Sequence, residues 1–340
     1  MKKKVIIDTD MGWDDILSIL YLIKHPGIDI LGITVTGCGE TDLRWGLVIA
    51  QTLMELGHQT QARICAGAPS PLKFTHRFPQ PFKNEMNDIM GLLGTLNPPL
   101  SLPVDERSAW EFMAQTLDET HDKITFLSLG GFTNIARLLE ISPSPRIENI
   151  SEIVAMAGAV YVDGNVALLN NARTEWDQGP IYSTNTAAEW NVFVDPLAAK
   201  CICDSEIPLT LVPLDACNHV MLSPDYATAL TATDPLATLA KNIFQKKSGS
   251  HNEGIPVPIF DPLATLIMAG EMPGYHAIQT YLDVDLRESS TDNPCGKTRV
   301  ADSGSREITV VHGVSQRQFA DGFTQIMNRC IPKERPPEAR

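Results

Sequence analysis

The sequence is poor in cysteine, in long apolar runs and in positive charge. Its seven cysteines are scattered over 340 residues and odd in number, which argues against a disulfide framework and favours the reducing cytoplasm. No apolar run approaches the length of a membrane span, and only three apolar residues separate the basic start from Asp8, so we expect neither a secretion signal nor a membrane partner. The formal net charge of −14 argues against nucleic acid or an anionic membrane surface as a partner.

Short apolar runs alternate with helical patterns, which predicts an α/β fold with a mostly parallel, Rossmann-like central sheet flanked by helices. The length permits one large domain or two smaller ones. Segments rich in proline and glycine, 67–82 and 248–258, are expected to be loops. A strand pair near 280–287 and 307–311 and a helix over 315–329 are expected to close one edge. The other candidate strands are 5–7, 30–35, 64–66, 124–129, 153–156 and 209–214, and the other candidate helices are 43–56, 106–120, 133–140 and 196–203.

Four carboxylates lie within eight residues, at Asp8, Asp10, Asp14 and Asp15. They follow a short apolar strand and precede a helical pattern, and open α/β sheets bind their ligands at this end of a strand. Four negative charges so close repel one another unless a cation lies among them, and Ca²⁺ or Mg²⁺ prefers carboxylate oxygen. Helix capping explains one or two of these acids but not Asp8 and Asp10. The stretch therefore predicts a metal site.

Three later segments carry groups suited to a ligand. Asp261 begins an apolar helix and precedes a proline, which by itself indicates an ordinary cap. At Leu129 a strand enters a Gly-Gly turn, where backbone carbonyls can approach a cation. Polar side chains flanked by apolar residues offer the donors and acceptors that a polyhydroxylated ligand needs, although loop and turn chemistry is the alternative. They are Asn165, Glu189 and Asn191.

In this order, the segments resemble the nucleoside hydrolase family, the purine and pyrimidine N-ribohydrolases. Residues 8–15 resemble the family's Asp-x-Asp-Pro-Gly-x-Asp-Asp signature, with Met11 in the place usually held by proline. Residues 129–134 resemble its Thr-Gly-Pro-Leu-Thr-Asn stretch, and residues 296–302 its late Gly-x-Thr-x-x-x-Asp. Because the similarity covers nearly the whole chain, it implies a single nucleoside hydrolase-like domain over 1–335.

The resemblance implies hydrolysis of the N-glycosidic bond of ribonucleosides to free base and ribose. A Ca²⁺ ion is then held by Asp10, Asp15 and Asp261 together with the main-chain carbonyl of Leu129. Asp10 is the implied general base, which deprotonates a Ca²⁺-bound water, and Asp8 supports the site without binding the ion. A homodimer or homotetramer is the expected assembly. The implied ribose-binding residues are Asp14, Met156, Asn165, Glu189, Asn191 and Asp261.

The chain departs from the family where the leaving base should lie. Phe260 stands where many members have a histidine that protonates the base, and Gly39 where many have a ribose-binding asparagine. Purine-selective relatives have an aromatic residue at the first of these positions, so we expect purine preference, with Phe82 as a second ring. His251 is the candidate proton donor.

Relative to the family, the chain has an insertion near 167–187, which we expect to reshape specificity. Segments near 72–88 and 245–258 are expected to be mobile loops.

Two other functions remain open from the residues alone. A phosphatase of the Asp-x-Asp type would use Asp8 as nucleophile, Asp10 as acid and Mg²⁺ as cofactor, but it leaves the rest of the acidic stretch idle. A non-catalytic nucleoside- or sugar-binding protein on the same scaffold is the second alternative, because Gly39 and Phe260 replace residues that act in relatives.

Overall fold

The computed structural model describes residues 2–96, 101–141, 147–172, 179–249 and 257–331, with only the backbone described for 170–172. Within them, nine strands form one sheet in the order β3-β2-β1-β4-β5-β6-β9-β7-β8. Strands β1 to β6 and β9 run parallel, whereas β7 is antiparallel to β9 and β8 is antiparallel to β7. The predicted mostly parallel sheet is thus confirmed. The strands are β1 (Lys3–Thr9), β2 (Ile28–Val35), β3 (Arg63–Ala66), β4 (Ile124–Ser128), β5 (Ile150–Ala155), β6 (Leu209–Leu211), β7 (His276–Val284), β8 (Thr298–Ala301) and β9 (Ile308–Gly313).

Helices flank the sheet on both faces. Val5 and Ile7 of β1 belong to one hydrophobic core and Ile6 to the other, because successive side chains of a strand point to opposite faces. The described helices are α1 (Trp13–Lys24), α2 (Leu43–Leu56), α3 (Gln80–Asn87), α4 (Leu93–Leu96), α5 (Ala109–Glu119), α6 (Thr133–Ile141), α7 (Val166–Ala172), α8 (Gly179–Ser183), α9 (Trp190–Val194), α10 (Pro196–Cys203), α11 (Leu214–Cys217), α12 (Asp225–Ala229), α13 (Pro235–Gly249), α14 (Asp261–Ala269) and α15 (Gln316–Met327), with a 3₁₀ turn at Ile89–Gly91.

The order of the strands reverses at β1. Strands β2 and β3 lie on one side of it and β4 lies on the other. In open α/β sheets, ligands bind outside the carboxyl ends of the strands at this reversal, because the two connections leave in opposite directions and open a crevice. Asp8 pairs with Ser128 in the register of β1 and β4, and the Leu129 N–H donates to the Asp8 carbonyl at 2.8 Å. The fold thus brings the acidic stretch and the Gly-Gly turn to one point.

The structure differs from the sequence predictions in several connections. Helices α3 and α13 occupy parts of segments predicted as loops. The strand predicted over 209–214 ends at Leu211, and helix α11 begins at Leu214, directly after Pro213. The expected pairing at the C-terminal edge is present between β7 and β9, with β8 as an additional edge strand. None of the helices in the described part of the chain is long and apolar enough to cross a membrane.

Candidate active site

A cavity opens at the carboxyl ends of β1, β4 and β5. It encloses about 350 Å³ of empty space, including the part that is open to solvent. All the residues that the sequence suggested for metal and ribose binding line it: Asp10, Asp14, Asp15, Leu129, Met156, Asn165, Glu189, Asn191 and Asp261. Phe260 lines it as well. Three lining residues were not assigned from the sequence, namely Glu40, Phe78 and Trp190.

A tight cluster of three buried carboxylates forms the floor of the cavity. One oxygen each of Asp14, Asp15 and Asp261 lie within 4.8 Å of one another. Asp15 is oriented by the Thr9 hydroxyl, which donates to its Oδ1, and by the Gly12 N–H, which donates to its Oδ2 at 2.9 Å. The sequence placed Asp10 in the metal site and Asp14 on the ribose, whereas the tightest cluster among the described residues includes Asp14 in place of Asp10.

The cluster carries more negative charge than its surroundings balance. Burial raises the pKa of Asp14 and of Asp15 to about 6, and repulsion adds to the shift, from Asp10 on Asp14 and from Asp14 on Asp15. Burial raises the pKa of Asp10 and of Asp261 well above the usual range, followed by repulsion from Asp15 in both cases. When a cation enters among such carboxylates, they lose their protons to the solvent, because the cation stabilises their charged form. This donor set of hard, buried oxygens fits a divalent ion such as Ca²⁺.

Asp10 lies between two glycines. An ideal Cβ on Gly39 would be 1.7 Å from Asp10 Oδ2, and one on Gly130 would be 2.9 Å from Asp10 Cβ. Any larger residue at Gly39 must therefore displace the carboxylate or the loop. The Glu40 N–H donates to Asp10 Oδ2 at 3.1 Å. This contact and the two glycines fix the position of the Asp10 carboxylate.

The turn that carries these acids is strained at Met11. Its φ of 64° lies in the left-handed region, which a non-glycine residue rarely adopts and proline cannot adopt. The Met11 side chain is fully buried, so packing holds the conformation. The departure from the family signature at this position is thus accompanied by a backbone angle that proline would forbid.

Asp8 faces away from the cavity. Its Oδ1 accepts hydrogen bonds from Asn134 Nδ2 at 2.8 Å and from the Thr34 hydroxyl at 2.6 Å, and burial raises its pKa to about 7. It does not line the cavity. This placement agrees with a supporting role and leaves the phosphatase alternative without an accessible nucleophile at Asp8.

Glu189 and Asn191 join the walls of the cavity. Glu189 accepts from the N–H groups of Asn191 at 2.8 Å, Gly158 at 2.9 Å and Val192 at 3.3 Å, and burial raises its pKa to about 7. Asn191 Nδ2 donates to the carbonyl oxygens of Leu129 at 3.1 Å and Met156 at 3.0 Å. Both side chains therefore tie the ends of β4 and β5 to helix α9, in addition to facing the cavity.

Aromatic rings form another part of the wall, but Phe82 is not one of them. Phe82 is buried behind Phe78, with ring centroids 5.5 Å apart, and Phe78 in turn stacks on Trp190 at 4.2 Å. Phe78 and Trp190 line the cavity and Phe82 does not, so the base-binding role of Phe82 stays a prediction. Phe78 lies four residues before Phe82 in sequence, ahead of helix α3, and Trp190 lies between Glu189 and Asn191. His251 lies outside the described residues.

Glu40 is a further acid that the sequence left without a role. It lines the cavity, burial raises its pKa well above the usual range, and its Oε2 has no hydrogen-bond partner within the described residues. An ideal Cβ on Gly12 would lie 2.3 Å from this oxygen. The carboxylate thus rests on the backbone at the start of α1, beside the other acids.

Comparison with known proteins gives the class to which this fold and site belong. The family model for the inosine-uridine preferring nucleoside hydrolases matches residues 5–321. The chain therefore belongs to this family of N-glycosyl hydrolases.

Among individual relatives, the pyrimidine-specific ribonucleoside hydrolase RihB of Escherichia coli O157:H7 is 30% identical over 339 residues, which cover 97% of each chain. The inosine-uridine preferring nucleoside hydrolase from Bacillus anthracis has a TM-score of 0.77 at 21% identity, over 96% of this chain and 99% of that one. The purine-preferring ribonucleoside hydrolase from Gardnerella vaginalis has a TM-score of 0.76 at 22% identity, over 96% and 98%. These two likenesses confirm the fold.

Proposed function

We propose that the protein hydrolyses the N-glycosidic bond of ribonucleosides, releasing free base and ribose, with Ca²⁺ bound in the acidic cavity. The observation that carries this proposal is the convergence of buried carboxylates, amides and a strand-end carbonyl on one cavity. Asp10, Asp15, Asp261 and the Leu129 carbonyl would hold the ion. Asp14 is close enough to the same point to share it, and Asp14→Asn tests this through the affinity for the ion.

The bound cation would lower the pKa of water and orient the sugar hydroxyls. The protein supplies the other elements of the reaction. Asp10 is the general base, which accepts the proton of the attacking water, and the Glu40 N–H holds its carboxylate in place. Positive charge then develops on the ribose as the bond to the base breaks, and the surrounding carboxylates stabilise it.

The polar wall opposite Asp10 is suited to the ribose. Asn165, Glu189 and Asn191 are held by backbone hydrogen bonds, which fixes their positions before a ligand arrives. Together with Asp14, Asp261 and Met156, they surround the sugar with donors, acceptors and an apolar contact. Preformed contacts of this kind lose little entropy on binding.

We further propose that the protein prefers purines. Three rings line the cavity, from Phe78, Trp190 and Phe260, and a two-ring base offers them more stacking area than a one-ring base. The experiment compares kcat/KM for inosine, guanosine and adenosine with that for uridine and cytidine. Faster cleavage of either pyrimidine nucleoside would overturn the preference without touching the hydrolase function.

The main test measures ribose release from each common nucleoside by the purified protein, after EDTA treatment and after addition of CaCl₂. We expect turnover that depends on the cation and that falls about 100- to 10,000-fold in Asp10→Asn. Release of inorganic phosphate from phosphate esters without ribose release would favour the phosphatase alternative. Nucleoside binding without turnover, unaffected by Asp10→Asn, would favour a binding protein.

We also propose a cytoplasmic homodimer or homotetramer. All seven cysteines are free thiols, which is compatible with a reducing compartment, and the assembly is proposed by analogy with the family. Analytical ultracentrifugation tests the assembly, since a monomer at micromolar concentration would contradict it.

A further inference from the structure

The segment 37–42, between β2 and α2, covers one side of Asp10, and we call it the Asp10 loop. Its Glu40 N–H donates to Asp10 Oδ2. The N–H and the hydroxyl of Thr41 donate to the Asp10 carbonyl oxygen at 3.2 and 2.8 Å. Because the loop binds both the backbone and the carboxylate of Asp10, its position determines how the carboxylate is oriented.

Helix α3 holds the Asp10 loop through two side chains one turn apart. The Lys83 ammonium donates to the carbonyl oxygens of Gly39 at 3.1 Å and Gly37 at 3.4 Å, and it lies 3.4 Å from Asp42 Oδ1. Asn87 Oδ1 accepts from the Asp42 N–H at 2.9 Å, and Asn87 Nδ2 donates to Asp42 Oδ2 at 2.8 Å. The loop is thus fixed at its start and at its end.

The Gly39 carbonyl and the Glu40 N–H belong to the same peptide unit. Lys83 binds the oxygen of this unit and Asp10 binds its N–H. A peptide unit is planar and rigid, so fixing one end fixes the other. A cation on the carbonyl oxygen also polarises the unit, which strengthens the N–H as a donor.

Lys83 is buried, with 6% of its surface exposed, and burying an ammonium is costly unless hydrogen bonds replace its water. Here two loop carbonyls and the Asp42 carboxylate replace it. Lys83 does not line the cavity. Lys83 therefore contacts the Asp10 loop, and the Gly39–Glu40 peptide unit separates its ammonium from the Asp10 carboxylate.

We propose that Lys83 is a positioning residue, which fixes the Asp10 carboxylate through the Gly39–Glu40 peptide unit. The proposal rests on the proposed role of Asp10 as the general base. A positioning role predicts that loss of the ammonium slows the chemical step and leaves nucleoside binding nearly intact, because the ribose contacts come from other elements.

The first measurement is hydrogen–deuterium exchange over residues 37–42, in wild type and in Lys83→Met, with and without CaCl₂. We expect the Glu40 and Thr41 amides to exchange at least about tenfold faster in the variant, since the loop that carries them is no longer held against Asp10. Lys246→Met removes an exposed lysine and serves as the matched control. Exchange in Lys83→Met equal to that in wild type would overturn the proposal.

The second measurement is kinetic. Lys83→Met should lower kcat by about 10- to 100-fold, because a small misplacement of a catalytic group has this effect, and change KM by less than about threefold. In the Asp10→Asn background the same substitution should cost almost nothing further, and an equal loss there would show that Lys83 acts elsewhere.

If Lys83→Met does not fold, Lys83→Gln, which keeps one donor, replaces it and should give a smaller change in both measurements. If the wild type released no ribose, the proposed function would fall, and with it the catalytic role of Lys83. The exchange measurement would then still decide whether Lys83 holds the loop.

Discussion

The raised pKa values in the acidic cavity predict that the folding stability of the protein depends on pH and on the proposed divalent cation. Burial raises the pKa of Asp14 and of Asp15 from 3.8 to about 6. Between these values the folded protein retains protons that the unfolded chain has released, so the stability of the cation-free protein falls as the pH rises through this window. Above about pH 6 the loss is complete. A cation bound to the carboxylates offsets it.

The loss of folding stability can be calculated from the raised pKa of either Asp14 or Asp15 alone. A pKa unit corresponds to about 1.4 kcal/mol, so a shift of about two units destabilises the cation-free protein by about 3 kcal/mol at pH 8. The shifts of the two groups are not added, because the shift of Asp15 already contains the repulsion from Asp14. With about 2 cal/mol/K of unfolding entropy per residue, 340 residues give about 0.7 kcal/mol/K, and 3 kcal/mol then corresponds to about 4 °C in Tm.

Calorimetry at pH 5 and pH 8, in EDTA and in excess CaCl₂ at matched ionic strength, measures this coupling. We expect CaCl₂ to raise Tm by at least about 4 °C at pH 8 and by less at pH 5, where protons compete for the carboxylates. Asp261→Asn should lose most of the response, whereas Asp29→Asn, at an exposed position, should keep it. Equal calcium shifts at the two pH values would refute the reasoning.

Three further substitutions probe other features. Gly39→Ala places a Cβ 1.7 Å from Asp10 Oδ2 and should lower kcat at least about 100-fold, while Gly94→Ala, whose Cβ meets no atom within 4 Å, should not; equal kcat values would contradict this. Asp234→Ala leaves the fully buried Lys24 ammonium, now 2.5 Å from Asp234 Oδ2, without that partner. It should lower the free energy of unfolding by about 3–5 kcal/mol in urea titration, and a loss below about 1 kcal/mol would show that the pair is unimportant. Phe78→Ala removes a ring of the cavity wall and should lower kcat/KM for inosine by about 3- to 10-fold, whereas an unchanged value would place the base elsewhere.

The core of the fold could be predicted from sequence because buried parallel strands have continuous apolar runs. Residues 5–7 and 124–129 fall within or beside β1 and β4, and the pattern over 133–140 predicted α6 to within one residue. Two of the elements that the sequence did not predict lack a strong pattern for a physical reason. Strand β8 is a short edge strand with exposed Arg299 and Val300, and α3 has few apolar residues, Phe82 and Met86 among them, so neither has a strong pattern.

The residues of the candidate site also fall into two groups, those that the sequence predicted and those that only the fold reveals. The acids of residues 8–15 are neighbours in sequence, so their proximity was visible before the fold. The side chains that reach the cavity from separate elements, such as Glu40, depend on how those elements pack. Phe82 lies in α3 and Phe78 in the segment before it, and only the packing of this region decides that Phe78 faces the cavity. Lys83 donates to the backbone carbonyl of Gly39, and a contact with the backbone cannot be predicted from a sequence motif.

The glycines on either side of Asp10 have a consequence for how this protein can evolve. Gly39 and Gly130 leave no room for a side chain, so in this chain almost every substitution at either position displaces Asp10, the proposed general base. Phe78 and Phe260, in contrast, meet the cavity with side chains that can be exchanged for others of different size and polarity. With the base on the aromatic wall, as proposed, single substitutions there can change the base preference, whereas a side chain at Gly39 or Gly130 first requires a second change that makes room beside Asp10.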